Sequence, residues 1–310
     1  MILSASRRTD IPSYYGEWFM NRVRAGEVWL QNPVNHAQNQ RLRFSSDTVD
    51  CIVFWTKSPA PFLRYLPELD AMGYRYVFQY TLNPYGAELE PELPSLSDRV
   101  DTFLRLSERI GPDRVLWRYD PIVLNEAWTA ARHAGAFRSL CDALAGATAQ
   151  VTVSFVQKYQ KIRDPNIRAL TEEEKRCCAD VLGQTAAEYR LPIQACCARM
   201  DLSGYGIRPA SCIDRELLER VVGAPLSLRP DHGQRKGCGC CESVDVGMYN
   251  TCPRGCVYCY ATLSRPLVER NFAAYDPGAP MLSGGCDPSL LRDRTAASNK
   301  LLFENEQITF

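Results

Sequence analysis

Nearly continuous apolar runs, each bounded by polar residues, recur along this chain and restrict what it can fold into. The clearest are residues 51–55 (CIVFW) and 115–117 (VLW). Strands buried on both faces have this character, and they occur mainly in parallel sheets that are covered by helices. The runs therefore indicate an α/β protein.

Eight strands are predicted from such runs, at residues 2–6, 27–30, 50–55, 76–82, 114–119, 150–155, 192–197 and 244–249. Helices are predicted at residues 14–25, 96–110 and 171–189, and the last of them opens with a pattern typical of a capping box. Eight strands that alternate with helices suggest a TIM-like (β/α) barrel. Residues 31–46 are polar, however, and show no clear helix that would cross from the second strand to the third.

No repeat or interdomain linker interrupts the pattern, so residues 1–275 are predicted to form one barrel domain and residues 276–310 a tail. Lys+Arg and Asp+Glu both number 36, which argues against a strongly basic nucleic-acid binder. No apolar run approaches the ~20 residues of a membrane helix. The N-terminus lacks the features of a signal peptide, so we expect a cytoplasmic protein without membrane contact.

Polar and aromatic residues cluster directly after several predicted strands, at residues 7–10, 55–57, 79–81, 118–120 and 157–159. In a parallel barrel the carboxyl ends of the strands share one face, where active sites form. We therefore predict a charged, ligand-binding mouth with these candidate cofactor-binding residues: Arg7, Arg8, Lys57, Arg118 and Asp120. Alternatively, Arg7 and Arg8 form ion pairs with Asp10 or Asp120. Asp120 can instead have a structural role and hold the Arg118 side chain in place, and the Lys57 side chain can lie in solvent.

Fourteen cysteines are many for 310 residues, and nine of them lie between residues 196 and 259. A secreted disulfide scaffold would be shorter and would carry a signal peptide, whereas clustered cysteines in a reducing cytoplasm more often bind metal. Cys252, Cys256 and Cys259 have the spacing C-x3-C-x2-C, so their thiolates can converge on one metal centre. Because four cysteines normally hold a [4Fe–4S] cluster, three leave one iron open to a small molecule.

The motif at residues 252–259 (CPRGCVYC) resembles the signature of the radical S-adenosylmethionine (SAM) superfamily, and it is similar to the segment of spore photoproduct lyase-like members. The resemblance implies a full or partial (β/α) barrel and a [4Fe–4S] cluster whose open iron chelates the methionine part of SAM. It further implies cleavage of SAM to a 5′-deoxyadenosyl radical, which abstracts hydrogen from a substrate. An electron donor such as flavodoxin or ferredoxin is the implied protein partner. Tyr258, the aromatic residue before the last cysteine, is a further candidate cofactor-binding residue.

The motif stands after the last predicted strand, whereas in most superfamily members it follows the first. A circular permutation reconciles the two, because a closed barrel has no intrinsic first strand. The whole chain also resembles an uncharacterised family, a domain of unknown function with this C-terminal arrangement. The matching segments are residues 6–12, 53–57 and 117–121, and this resemblance supplies no substrate.

A second metal site is predicted from four further cysteines: Cys197, Cys212, Cys238 and Cys240. They lie near the ends of predicted strands, and neighbouring parallel strands are about 4.8 Å apart, so the thiols can meet. They would hold an auxiliary iron–sulfur cluster or a zinc ion, with Cys196 and Cys241 competing for two of the places. The alternative is a set of inert buried thiols.

The leading hypothesis is therefore a radical SAM enzyme on a permuted barrel, with an unknown substrate. One alternative is a non-catalytic zinc or iron–sulfur module, although structural zinc sites favour paired C-x2-C units. The other is an enzyme of nucleic-acid repair or modification of the spore photoproduct lyase type. The neutral overall charge disfavours this second alternative.

Overall fold

The structure, a computed structural model, describes residues 1–235 and 237–301 of the chain. Its strands are β1 (Ile2–Ala5), β2 (Glu27–Gln31), β3 (Asn39–Arg43), β4 (Cys51–Thr56), β5 (Tyr76–Thr81), β6 (Val115–Ile122), β7 (Val151–Phe155), β8 (Ile193–Cys196), β9 (Arg208–Ala210), β10 (Val244–Asp245) and β11 (Leu291–Thr295). Its α-helices are α1 (Ile11–Tyr14), α2 (Gly16–Ala25), α3 (Leu66–Ala71), α4 (Leu96–Ile110), α5 (Ala130–Ala143), α6 (Glu172–Glu188), α7 (Arg215–Val222) and α8 (Arg265–Ala273).

Eight strands form a central parallel sheet with the order β10-β1-β4-β5-β6-β7-β8-β9. Every neighbouring pair in this sheet is parallel, so all carboxyl ends lie at the same end of the sheet. From β1 to β9 the order in space follows the order in the chain. β10, in contrast, comes late in the chain but pairs with β1 at one edge.

The predicted α/β class is confirmed, with a large parallel sheet flanked by helices. β9 and β10 are the two edge strands, and no ladder joins them within the described ranges. The segments next to these strands are nevertheless hydrogen-bonded. Ser211 Oγ donates to the carbonyl of Gly239 (2.8 Å), and the amide of Cys241 donates to the carbonyl of Ile213 (3.0 Å). The segment after β9 therefore contacts the segment before β10.

Seven of the eight predicted strands lie in the central sheet. The strand predicted at residues 27–30 forms, but its predicted place in the barrel was wrong. β2 forms there and pairs antiparallel with β3, in a separate three-stranded sheet with β11. Residues 32–38 between them form a turn in which Asn32 Oδ1 accepts hydrogen bonds from the amides of Val34 and Asn35. Such a turn is too short for a parallel crossover, which needs about a dozen residues or more. The unpredicted β9 takes the eighth place in the central sheet.

Two of the three predicted helices form with nearly the predicted bounds. α4 covers residues 96–110, and α6 has the predicted capping box, in which Thr171 and Glu174 each accept a hydrogen bond from the other's backbone amide. The helix predicted at residues 14–25 is divided at Tyr15 into α1 and α2.

One face of the central sheet is apolar along its length and is covered by helices. Successive strand residues point to opposite faces, so this face takes alternate positions. Its buried side chains include Leu3, Ala5, Ile52, Phe54, Phe78, Tyr80, Trp117, Tyr119, Val151 and Val153. Residues Trp18 of α2, Leu106 of α4 and Leu182 of α6 belong to the same cluster. This layer is the main core of the protein.

The opposite face of the central sheet changes character along the strands. Near their amino ends, Ile2, Cys51 and Val53 pack with Leu218 and Val222 of α7 in a second apolar cluster. Further along the strands, the side chains of the same face are Ser4, Trp55, Gln79 and Arg118. α7 therefore covers the amino end of this face, while its carboxyl end carries polar and aromatic groups.

Residues 276–301, which belong to the predicted tail, include β11, and β11 pairs with β3. Asp50 links this segment to the start of the chain. Its carboxylate accepts hydrogen bonds from the Met1 ammonium, the Ser298 hydroxyl and the Asn299 amide. The last predicted tail residues, 302–310, lie outside the described residues. None of the helices in the described ranges is long and apolar enough to cross a membrane.

Candidate functional site

The motif C-x3-C-x2-C forms a loop, residues 252–259, beyond β10 at the carboxyl end of the central sheet; we call it the cysteine loop. Asn250 ties its two ends together. The Asn250 amide donates to the carbonyl of Ala261 (3.0 Å), and its Oδ1 accepts from the amides of Leu263 (2.6 Å) and Ser264 (3.2 Å). The φ of Asn250 is 57°, in the left-handed region that asparagine tolerates better than most residues. The loop is therefore a closed, hydrogen-bonded turn.

Arg254 anchors the inside of the cysteine loop. Its guanidinium donates to Ser13 Oγ (2.7 Å) and to the carbonyl of Glu92 (2.6 Å), and it lies 3.7 Å from the Asp10 carboxylate. The next residue, Gly255, has a φ of 74°, which a glycine adopts without strain. These contacts fix the loop against α1 and against the segment before α4.

The three thiols of the cysteine loop are partly buried. Cys259 Sγ accepts a hydrogen bond from the amide of Ala261 (3.3 Å). Burial raises the pKa of Cys252 to about 12, and it raises the pKa of Cys256 well above its usual value. Cys252 and Cys256 are therefore thiols at neutral pH until a positive charge such as a metal ion deprotonates them.

Tyr258, the aromatic residue of the motif, belongs to a buried polar network. Lys57 Nζ lies 2.7 Å from Glu90 Oε1 and 3.0 Å from the Tyr258 hydroxyl, and this hydroxyl donates to the same Glu90 oxygen. Asn83 Nδ2 also donates to Glu90 Oε1 (3.1 Å). Lys57 is therefore ion-paired in the structure rather than solvated.

Glu90 was not predicted from the sequence, although it is the centre of this network. Its second oxygen, Oε2, is buried and accepts no hydrogen bond within the described residues, and the Arg99 guanidinium lies 3.6 Å away. Burial, together with the Glu90 carboxylate, raises the pKa of Tyr258 well above its usual value. The Tyr258 hydroxyl is consequently a hydrogen-bond donor at neutral pH.

Asp10 joins α1, the end of β4 and the cysteine loop. Its Oδ1 accepts hydrogen bonds from the Ser13 amide (3.0 Å) and the Thr56 hydroxyl (2.7 Å), and its Oδ2 accepts from the Lys57 amide (2.9 Å). The same Oδ2 faces Arg254 at 3.7 Å. Asp10 thus has a positioning role, because every group it contacts belongs to the surroundings of the cysteine loop.

Arg7 follows β1 and lies against a strand from the opposite end of the chain. Its amide donates to Asp245 Oδ2 (2.8 Å), its Nη1 donates to Ser243 Oγ (3.2 Å), and its guanidinium stands over the Trp55 ring at 4.8 Å. Its Nη2 is buried and has no hydrogen-bond partner in the described part of the chain. Arg7 therefore offers a donor to a ligand at this end of the sheet.

Arg8 contacts the segment that leads into the cysteine loop. Its Nη1 donates to the carbonyl of Gly247 (3.3 Å). The alternative ion pairs of these two arginines with Asp10 or Asp120 are absent from the described ranges, where both carboxylates pair with other arginines.

Arg118 and Asp120 lie on the same face of β6 and form an ion pair. Arg118 Nη1 also donates to Cys212 Sγ (2.9 Å), and Asp120 Oδ1 accepts from the Ser154 hydroxyl. Burial favours the neutral acid, yet Arg118 and Ser154 hold the pKa of Asp120 below its usual range. Asp120 therefore stays ionised and fixes Arg118 against a cysteine.

Five cysteines from three segments form one connected group, which we call the five-thiol network: Cys196, Cys197, Cys212, Cys238 and Cys240. The Sγ atoms of Cys212 and Cys196 are 3.4 Å apart. The Cys196 and Cys238 thiols lie close enough to Cys197 to lower its pKa, and Cys240 lowers the pKa of Cys238 in the same way. Cys240 Sγ accepts a hydrogen bond from the amide of Ile213 (3.4 Å). The four cysteines proposed from the sequence for a second site thus lie together, and Cys196 connects them.

Neither cysteine group is a finished metal site in its present arrangement. Within residues 1–235 and 237–301, no three His, Cys, Asp or Glu side chains stand so that they could hold a metal ion. In the five-thiol network the sulfur atoms of Cys196 and Cys212 contact each other instead. Metal binding at either group would therefore rotate the thiols toward a common centre.

Three residues of the site, Glu90, Asp245 and Cys196, were not among the predicted site residues, and the sequence indicated them to different degrees. Glu90 lies in the acidic stretch at residues 88–94 (ELEPELP), in which nothing distinguishes one carboxylate from the next. Asp245 lies inside the strand predicted at residues 244–249, where the sequence gives no sign that its carboxylate contacts another segment. Cys196, by contrast, was named from the sequence as a competitor of the predicted ligands because it lies next to Cys197.

The fold and the site together define an α/β protein with a parallel eight-stranded sheet and a three-cysteine loop at the carboxyl ends of its strands. This chain belongs to the family described as Domain of unknown function (DUF1848), whose model matches residues 2–261. The matched range includes all eight strands of the central sheet and the whole cysteine loop.

No curated protein matches the sequence. Among solved structures, the chain is similar to a “putative alpha-L-fucosidase” from Bacteroides thetaiotaomicron VPI-5482, with 10% identity and a TM-score of 0.27 over 73% of this chain and 83% of the other. An overlap this low does not establish a common fold.

Proposed function

We propose that this protein is a radical SAM enzyme that holds a [4Fe–4S] cluster on Cys252, Cys256 and Cys259. The cysteine loop is the observation that carries the proposal. It places three thiols, with no fourth cysteine between residues 242 and 285, on a hydrogen-bonded turn at the carboxyl end of a parallel sheet. Three thiolates leave one iron of such a cluster without a protein ligand, and SAM can take that position.

The donor chemistry of the cysteine loop fits an iron–sulfur cluster. The Ala261 amide and the Thr262 hydroxyl both donate to Cys259 Sγ, and hydrogen bonds to sulfur help to set the reduction potential of such clusters. Lys57 places an ammonium near Cys256, where it offsets the negative charge that three thiolates bring. Binding would deprotonate the thiols and rotate them toward the metal.

The strand order supports a circularly permuted barrel. Moving the first strand of a barrel to the end of the chain leaves its neighbours in space unchanged. β10, which leads into the cysteine loop, would be such a strand, and it pairs in parallel with β1. Closure of the barrel between β9 and β10 is part of the proposal. The hydrogen bonds of Ser211 and Ile213 with the segment before β10 support it.

When bound, the cluster supplies the electron that cleaves SAM to a 5′-deoxyadenosyl radical. Arg7 binds the carboxylate of SAM in this proposal, because its buried Nη2 lacks a partner in the described ranges and guanidinium groups bind carboxylates bidentately. Tyr258 shields the cysteine loop from water with its buried ring. Arg8, Lys57, Arg118 and Asp120 lie at the same end of the sheet and complete the proposed cofactor-binding set.

The proposed reaction has two further requirements. A reductant of the flavodoxin or ferredoxin class supplies electrons, and a substrate of still unknown identity supplies the hydrogen atom. A cytoplasmic location belongs to the proposal because a reducing compartment keeps the thiols free for metal.

Reductive cleavage of SAM is the decisive test. The full chain is loaded with iron and sulfide under anaerobic conditions and incubated with dithionite and SAM, and 5′-deoxyadenosine is measured by mass spectrometry. We expect more product than the Cys259→Ala variant forms. Cys177→Ala removes an exposed thiol of α6 and is the matched control, which should retain full activity.

A negative result is read from two measurements together. Product no greater than that of Cys259→Ala, combined with no effect of SAM on the electron paramagnetic resonance signal of the reduced cluster, would overturn the proposal. Zinc bound at the loop in place of iron would point to a metal-binding module instead. Salt-dependent binding of DNA or RNA by an active enzyme would identify a nucleic-acid substrate.

A further inference from the structure

The five-thiol network draws on three segments that are far apart in the chain. Cys196 ends β8 and Cys197 follows it, Cys212 lies beyond β9, and Cys238 and Cys240 precede β10. β9 and β10 are the two edges of the central sheet. The network therefore connects both edge segments to an interior strand.

Cys197 has an uncommon backbone conformation that brings two neighbouring thiols together. In a continuing strand, Cys196 and Cys197 would point to opposite faces of the sheet. The φ of Cys197 is instead 49°, in the left-handed region that residues with side chains rarely adopt, and its thiol interacts with that of Cys196. Backbone strain of this kind is found at sites that hold ligands.

The sulfur–sulfur contact between Cys196 and Cys212 in the network has a length closer to that in a single-ion site than to that in a cluster. A zinc ion binds thiolates tetrahedrally at about 2.3 Å, which places its sulfur ligands about 3.8 Å apart. The Sγ atoms of Cys196 and Cys212 are 3.4 Å apart. A [4Fe–4S] cluster places irons and sulfides between its thiolates and so holds them farther apart.

Positive charge lies against the network. Arg118 is buried and donates Nη1 to Cys212 Sγ at 2.9 Å. Arg7 and Arg235 lie close enough to thiols of the network to interact with them electrostatically. Four thiolates outweigh the charge of one zinc ion, so a zinc–thiolate centre is negative, and guanidinium groups stabilise it.

We propose that the five-thiol network binds one zinc ion through four of its thiolates. The ion joins the ends of β8 and β9 to the segment before β10 and so holds the two edges of the central sheet together. Cys196 and Cys197 line a cleft of about 300 Å³, which gives the ion a route to the site. No residue of the cysteine loop takes part, so this zinc site goes beyond the proposed radical SAM function and does not depend on it.

The test uses the full chain with its cysteine loop disabled by Cys252→Ala, Cys256→Ala and Cys259→Ala. After dialysis against zinc and then against metal-free buffer, we expect about one zinc per chain by mass spectrometry of the metal. Adding Cys197→Ser and Cys212→Ser together leaves three thiols, one fewer than the proposed four, and should weaken zinc binding about tenfold or more. Cys177→Ser is the matched control. It removes an exposed thiol of α6 outside the network, and zinc should be retained.

A second measurement leaves the network intact and so does not depend on whether its variants fold. Cobalt(II) replaces zinc in the loop-disabled chain, and we expect the visible absorption bands of a tetrahedral cobalt–thiolate centre, with release of protons on binding. Absence of retained zinc, or cobalt bound without these bands, overturns the proposal. So does an iron–sulfur cluster of about four irons that displaces zinc from the loop-disabled chain. Because SAM cleavage is not measured, none of these results depends on the proposed function.

Discussion

The cysteine loop and the five-thiol network both include segments next to β10, but they are built differently. The loop takes its three thiols from residues 252–259, and Asn250 and Arg254 fix its shape through local and loop–helix hydrogen bonds. The network takes five thiols from three segments and exists only once β8, β9 and the segment before β10 have met. One group is therefore present within a short stretch of chain, while the other is a product of the whole fold.

The number of thiols in each group has a chemical consequence. Three thiolates leave a coordination position open, as a catalytic metal site does, while four saturate a metal ion, as a structural site does. We infer that the cysteine loop serves reactivity and the five-thiol network serves the architecture of the sheet. The comparison can be tested because each group can be removed without altering a ligand of the other.

Arg7 is the residue through which the two groups are connected. The Tyr260 hydroxyl, next to the last cysteine of the loop, donates to the carbonyl of Arg7. The Arg7 guanidinium is close enough to Cys212 and Cys240 to interact with them electrostatically. A change at one group can therefore reach the other through this one residue, which is why both metals should be measured in every variant.

Cys256→Ala is expected to have the largest effect, and it is confined to the cysteine loop. Two thiolates are too few to hold a [4Fe–4S] cluster, so loop-bound iron and SAM cleavage should be lost, while zinc in the five-thiol network is retained. Iron, zinc and 5′-deoxyadenosine are measured on the same preparation. Simultaneous loss of iron and zinc would contradict the independence of the two cysteine groups, because it would show that they form as one unit.

Lys57→Met tests the buried network that supports the cysteine loop. Among the residues that the structure describes, it leaves Glu90 with Arg99, at 3.6 Å, as its one charged partner, and breaking a buried ion pair in this way costs about 3 kcal/mol. We expect the free energy of unfolding to fall by that amount in urea denaturation at pH 7. Adding Glu90→Gln removes the uncompensated charge and should restore most of the loss. As a control, Lys175→Met breaks an exposed pair with Glu172 and should change stability by less than about 1 kcal/mol.

Local patterns in the sequence predicted the elements that local interactions stabilise. α4 has the predicted bounds, since its amphipathic run stops at Gly111, and α6 has the predicted capping box. β2 was assigned to the wrong sheet. Its own residues favour a strand, but its partner β3 is polar and was not recognised, so the pairing that decides its place lay outside the pattern.

The candidate site divides in the same way. The cysteine loop was predictable because its spacing lies within one short segment. Glu90 was not, because Lys57 and Arg99, which come from other elements, decide which glutamate of residues 88–94 is buried. The placement of Cys197 beside Cys196 depends on the left-handed backbone of Cys197, and the sequence contains no glycine or asparagine there that would indicate it.

Asp120→Asn tests the ion pair beside the five-thiol network. Arg118 loses its ionised partner, and we expect the free energy of unfolding at pH 7 to fall by about 2 kcal/mol. Burial favours the neutral acid, but Arg118 and Ser154 hold the pKa of Asp120 below its usual 3.8. The stabilisation is therefore present above the unfolded pKa and is lost as the pH falls through the folded pKa. Urea denaturation should show that the unmodified protein and Asp120→Asn differ less in free energy of unfolding at pH 3 than at pH 7. An equal difference at both pH values would refute the assigned Arg118–Asp120 ion pair.

Tyr258→Phe is expected to have the smallest effect, since it keeps the buried ring and removes only the hydroxyl that contacts Lys57 and Glu90. The loss of this hydrogen bonding should lower the free energy of unfolding by about 1 kcal/mol. Tyr249→Phe is the matched control in the segment that leads into the cysteine loop. Tyr249 is 37% exposed, and we expect a change within about 0.5 kcal/mol.

The two tyrosine variants show what the buried network does for the cysteine loop. If Tyr258→Phe retains its iron and loses only this stability, then the Lys57–Glu90 network supports the loop's shape, and the thiols with their backbone donors suffice to hold the cluster. Loss of iron from Tyr258→Phe, with stability reduced no further than expected, would show that the hydroxyl acts on the bound cluster. In that case the loop would depend on side chains from β4 and the segment before α4 for its chemistry. Iron content and urea denaturation of the same preparations decide between the two.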